Sequence, residues 1–223
     1  MPARPSHSTM ACMTQRHHRP SWLRNIWKAT ATGLLVTGVV DCGRLWSGEP
    51  YPVADPVATS NRLDGYTQTA YDALDLPNAE LDNDSPGAGA EARGDGCHYR
   101  GLRHLGKQIS DSPPGVPGVV SVHTEWALKG VPEAEALAAM RRAREELTRQ
   151  GWRVTDSMNK PYWRYLVLKP SGSDDEVRIW TYPRGRLKVA AYADCARYPP
   201  GTRLDNLDAP VLPRQVAPTQ LRG

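Results

Sequence analysis

From residue 152 onward the sequence breaks into short segments that alternate apolar and polar residues, separated by turn formers, and a period of two allows an antiparallel meander and little else. Residues 152–155 enter one strand and 162–169 (YWRYLVLK) form another. Residues 176–182 and 186–195 make a further pair, joined by Pro183-Arg184-Gly185, which has hairpin composition. Leu187, Val189, Ala191, Ala193 and Cys195 share one face of the last strand. Residues 119–128 (VVSVHTEWAL) have the same period. They set Val120, Val122, Thr124, Trp126 and Leu128 against a face of Ser121, His123, Glu125 and Ala127, which is expected to meet solvent.

One segment changes the period. Residues 132–150 carry an apolar stripe at Ala136, Met140, Ala143 and Leu147, with Arg141, Arg142, Arg144, Glu145 and Glu146 expected mostly in solvent. Pro132 sits near the first helical position, and Glu133 and Glu135 fall where the helix dipole favours negative charge. Gly151 is expected to close the helix in a left-handed conformation. Residues 57–76 also have helical spacing, through Leu63, Tyr66, Ala70, Tyr71 and Leu74. The expected class is therefore α+β: a small antiparallel sheet of about four to five strands, with one main amphipathic helix on one face.

The basic charge belongs to the N-terminus. Residues 1–28 hold five basic side chains and no acidic one, and the rest of the chain has 23 basic residues against 24 acidic. Bulk electrostatics thus give no reason to expect a nucleic-acid partner. Lys28 is followed by twelve uncharged residues, 29–40 (ATATGLLVTGVV), bounded by Asp41. That is the length of a secretory h-region and short of the ~20 residues that span a bilayer. The chain is read as exported, with 1–46 a signal or anchor that makes the membrane contact. Cys42 directly follows the apolar run and is a candidate lipidation site. Asp41 departs from the small, uncharged residue that a lipoprotein signal takes before its cysteine. Cleavage, lipidation and an uncleaved anchor all remain open.

The remaining cysteines of the exported part are Cys97 and Cys195. An oxidising compartment favours joining them, the alternative being two separate buried thiols. The domain order read from composition is a tether at 47–56, a helix with an acidic Gly-rich linker at 57–96, an extracytoplasmic α+β domain at 97–198 and a disordered proline-rich tail at 199–223.

Nothing in the spacing commits the chain to a reaction, and no catalytic residue, cofactor or metal is assigned. His98, His104 and His123 are the histidines of the exported part and the only basis for an envelope hydrolase, with no metal-ligand spacing among them. Ser171-Gly172-Ser173 lacks a nucleophile-elbow pattern and reads as a turn, and the pairs Asp174/Asp175 and Glu145/Glu146 are adjacent without sharing a cleft.

The aromatics point elsewhere. The chain has 7 Trp and 9 Tyr but no Phe, so its large rings carry polar edges. On 176–182, Trp180 and Tyr182 share the face opposite Val177 and Ile179, near Arg178, Arg186 and Lys188. These five residues are the candidate binding surface, provided that no helix covers that face. The alternative is that Trp and Tyr fill core positions.

The segments GCHYRGLRHL (96–105), WALKGVPEAEALAAMRRAREELTRQGWRVTD (126–156) and VAAYADCARYP (189–199) resemble a group of uncharacterised exported proteins of high-GC, Streptomyces-like actinobacteria. The resemblance spans most of 60–198. It implies a leader, an extracytoplasmic domain and a shared cysteine pair, and brings no activity to carry over. The expected function is a non-enzymatic envelope module that binds an unidentified ligand or protein. The alternatives are a hydrolase around the three histidines and a purely structural tethered domain.

Overall fold

The computed structural model describes residues 44–83, 92–160, 163–215, 217–218 and 221. The apolar run, Cys42 and Tyr162 lie outside the described residues.

Helix α1 (Pro56–Leu74) begins where Asp55 accepts a hydrogen bond from the Ala58 N–H at 2.7 Å, with Pro56 in the first turn. It ends at Asp75, in the left-handed conformation, two residues before Pro77, which cannot continue a helix. The Arg142 guanidinium closes that end, donating to the Leu74 and Asp75 carbonyls at 2.8 and 2.9 Å. Arg142 was expected in solvent; its reach to another helix is invisible in local periodicity. A 3-10 turn (Leu102–His104) and the short α2 (Leu105–Gln108) follow. Helix α3 (Glu133–Arg149) ends as expected at Gly151, with φ 87°. There the Gly151 N–H donates to the Thr148 carbonyl and the Trp152 N–H to that of Leu147, a Schellman closure.

The sheet is larger than expected, with eight strands among the described residues rather than four or five. They are β1 (Glu80–Leu81), β2 (Arg93–His98), β3 (Gly115–Lys129), β4 (Arg153–Lys160), β5 (Trp163–Lys169), β6 (Glu176–Tyr182), β7 (Arg186–Tyr192) and β8 (Ala196–Arg197). All named pairings are antiparallel. The main path runs β1-β3-β7-β6-β5-β4, with β2 and β8 also on β3. Helix α3 carries the chain from β3 to the far edge, and the expected meander then walks back, β4 to β7, until β7 pairs with β3. The unexpected strands are short or Gly-rich. They bond to the 15-residue β3 through backbone groups and need no alternating side chains.

Helices α1 and α3 cover one face of the sheet. Leu63, Ala70 and Leu74 of α1 and Ala139, Ala143 and Leu147 of α3 form one core with Leu166, Leu168, Val177, Ile179, Leu187 and Val189. The Tyr66 and Trp152 rings meet edge to face at 5.7 Å within this layer. The core therefore draws on residues well before 97. It also reaches past 198, where Leu212 and Leu221 pack against it. Asp205 adds a turn there by accepting the Leu207 and Ala209 N–H groups.

Cys97 and Cys195 are joined as a disulfide with Cα atoms 6.0 Å apart. Cys97 sits at a register shift in β2, on one side of β3, and Cys195 lies just before β8 on the other.

Candidate functional site

Strand alternation decides what the uncovered face carries. With Val177 and Ile179 turned to the helices, Arg178, Trp180 and Tyr182 of β6 turn away from them. Register then places partners on the same face: Tyr165 stands opposite Trp180, Val167 opposite Arg178, and Glu176 opposite Tyr192. The result is an open groove of about 790 Å³, walled by Trp163, Tyr165, Trp180, Tyr182 and Tyr192, with Asp156, Arg164, Glu176 and Arg178 among its polar groups. Trp163 is 65% and Tyr182 42% exposed, so these rings are not core filling. Trp126 and Trp152, at 2% and 7%, are. Core filling therefore describes Trp126 and Trp152, while Trp163 and Tyr182 stand exposed.

The three basic residues expected beside the rings have different places. Arg178 lines the groove, pairs with Glu176 and lies over the Tyr192 ring at 4.8 Å. Lys188 is nearly buried. Its Nζ is 2.7 Å from the equally sheltered Glu125 carboxylate and 5.5 Å from the Trp180 ring centre. Arg186 is tied at 2.9 Å to Asp82, which is 1% exposed. The groove is thus aromatic with locally compensated charge, rather than broadly basic.

Hydrogen bonding sets the ring edges. The Tyr165 hydroxyl donates to Asp156 Oδ2 at 2.9 Å, and that bond, followed by desolvation, raises the phenol pKa. Burial raises that of Tyr192, aided by the nearby Glu125 carboxylate. Both phenols therefore stay neutral donors across the physiological range.

The expectation that His123 and Glu125 meet solvent is corrected. His123 is 8% exposed, stacks on Tyr192 at 5.5 Å between centres, and has Nδ1 3.2 Å from Asp95 Oδ2, without hydrogen-bond alignment. Strand β2 supplies Asp95, and a segment read as linker could not announce that neighbour.

The three histidines are not brought together. His123 is in register with Arg93, and His98 lies beyond it along β2 by the rise of the intervening strand, about 17 Å. His98 is exposed, and its carbonyl accepts from the Tyr51 hydroxyl. His104 packs against Tyr99 with the rings tilted at 41° and 4.7 Å between centres, and its Nε2 accepts from Arg103. Desolvation and the cations Arg103 and Lys107 lower its pKa. None of the three lines the groove. Among the described residues no three His, Cys, Asp or Glu side chains are grouped to hold a metal ion. Asp175 is structural: it takes the Arg62 guanidinium at 2.7 Å and ties α1 to the β5–β6 turn.

Sequence reasoning singled out β6 but not its partners in the groove, Trp163, Tyr165, Tyr192 and Asp156. Their signal is phase, since 163 and 165 alternate together, but only strand register says which ring meets which.

No protein-family model matches the sequence, and no curated protein matches it. Among solved structures, the chain is similar to one described as "putative lipoprotein LppA from Mycobacterium tuberculosis". The identity is 14% and the TM-score 0.38, over 75% of this chain and 91% of that one.

Proposed function

We propose that this chain is an exported cell-envelope module that binds a glycan in the aromatic groove on the uncovered face of its sheet. The observation that carries the reading is the groove itself: five Trp and Tyr rings around about 790 Å³, on a face that no described helix covers. A sugar ring has flat C–H faces and a hydroxyl edge. The first suit the electron-rich faces of Trp and Tyr, and the second suits the Arg, Asp and Glu groups between them. Pairing of Arg178 with Glu176 and of Tyr165 with Asp156 pre-orients those groups and compensates their charge within the groove, which suits an uncharged ligand. Export rests on the basic leader and apolar run 29–40, and the Cys97–Cys195 bridge is the bond an oxidising compartment maintains. The resemblance to exported proteins of Streptomyces-like actinobacteria is in keeping with that address. The hydrolase alternative has no assembled site at His98, His104 and His123.

The test is a tryptophan-fluorescence titration of the purified protein with glycan fragments released from its own cell envelope. Trp163→Ala with Trp180→Ala should weaken binding by about tenfold or more, since each buried ring face contributes on the order of 1 kcal/mol. The unfolding midpoint should move little, because Trp163 is mostly exposed. Binding that is equally tight in the double variant rejects the groove. Release of a shortened glycan on incubation would turn the reading toward an enzyme.

A further inference from the structure

A second exposed feature lies where the chain enters the fold. Residues 44–51 cross the backbone at 100–101 so closely that neither partner tolerates a side chain. A Cβ on Gly101 (φ 86°) would stand 2.2 Å from the Gly48 nitrogen, and one on Gly48 (φ 80°) 2.6 Å from the Arg100 carbonyl carbon. The Arg100 guanidinium lies over the Tyr51 ring at 4.1 Å, and the Lys107 ammonium over Tyr99 at 4.1 Å. The entry segment and the 100–109 segment therefore form one surface.

That surface is apolar to an extent the rest of the fold does not require. Leu45 and Trp46 are 67% and 62% exposed, and Leu102, Leu105 and Ile109 are 59%, 50% and 75% exposed. Interleaved with them are Arg44, Arg100, Arg103 and Lys107, against Glu49 and Asp111. Among the described residues none of these four cations is within ion-pair range of a carboxylate.

We propose that this surface seats on an anionic lipid bilayer, with the five apolar side chains at the headgroup–acyl boundary and the four cations on lipid phosphates. Large apolar groups ringed by uncompensated cations are the composition that boundary selects, and Trp46 suits it as a ring with one polar edge. Chain length argues for lipid over another protein. The apolar run ends at Val40, four residues before Arg44, a span of at most about 14 Å. An anchor in that run, or a lipid on Cys42, therefore holds Arg44, Leu45 and Trp46 at headgroup depth. The crossing at Gly48 and Gly101 then brings Leu102, Leu105 and Ile109 down beside them. The inference rests on the export reading of the leader and is independent of the glycan groove.

Hydrogen exchange on the full-length chain tests it, comparing vesicles of phosphatidylcholine with about one-third phosphatidylglycerol, pure phosphatidylcholine vesicles and detergent micelles. The anionic vesicles should slow exchange across 101–109 by about tenfold relative to micelles, and the neutral ones by less. Leu102→Ser with Leu105→Ser and Ile109→Ser should abolish the difference while β3 and β7 stay protected, which shows the fold intact. Equal exchange at 101–109 in vesicles and micelles overturns the proposal. So does protection that rises with protein concentration in the absence of lipid, which would assign the surface to a second copy. Glycan titration of the triple variant should be unchanged, so failure here and failure at the groove are told apart.

Discussion

Tyr71, Tyr165 and Tyr192 all hold their protons above the ordinary phenol range, each for its own reason. Tyr71 lies on the buried face of α1 and donates to the Leu76 carbonyl at 3.0 Å. Tyr165 donates to Asp156, and Tyr192 is buried beside Glu125. A phenol whose folded pKa is raised keeps a proton that the unfolded chain gives up near pH 10. The native state is then favoured fully below that pH, and the advantage is lost as pH rises through the folded pKa values. The urea midpoint should therefore hold steady up to about pH 10 and decline beyond it. Absorbance titration of the phenolates should show a late-ionising fraction among the nine tyrosines. Tyr165→Phe should make the decline shallower, and a midpoint indifferent to alkaline pH would contradict the hydrogen-bond account.

At the scale of elements, the α3–β4 junction shows how much one turn can decide. Gly151 takes φ 87° so that two amide groups can satisfy the last carbonyls of α3, and the turn delivers Trp152 into the core. A Cβ there would also come within 3.3 Å of Ser171 Oγ. Gly151→Ala should cost about 1–2 kcal/mol in urea unfolding, from the left-handed backbone penalty, with little change in the folded spectrum. A loss of only a few tenths of a kcal/mol would mean that the closure contributes little. This junction was legible because a Schellman end involves residues close in sequence. The Arg142 cap on α1 was not, because a guanidinium that leaves its own helix carries no mark of its destination.

The whole molecule hangs on β3, with β1 and β2 along one edge and β7 and β8 along the other. The disulfide joins the two sides across a sequence separation of 98 residues. By the chain-entropy argument, closing a loop of that size stabilises the fold by about 4–5 kcal/mol. Cys97→Ser with Cys195→Ser should lower the stability in urea by roughly that amount. Intact mass of the protein taken from its own membranes should show the two-hydrogen deficit of the bridge. A double variant as stable as the parent would mean that β3 pairing alone holds the two flanks.

By itself the sequence determined the α+β class, the two long helices, the β4–β7 meander and the left-handed end of α3, and it left Cys97 and Cys195 as the natural pair. Each of these is written in local period, turn chemistry or residue count, and none depends on what else packs nearby. Only the tertiary structure decided that β1, β2 and β8 join the sheet, since their backbone groups seek a partner edge rather than an apolar face. It decided too that α1 and part of the tail belong to the core, and that His123 and Glu125 are sheltered. The candidate site falls between the two. Alternation put Arg178, Trp180 and Tyr182 on one face, but register alone brought Trp163, Tyr165 and Tyr192 to meet them. A groove arises from neighbours that are distant in the chain, and pairing between strands is not encoded in any one of them.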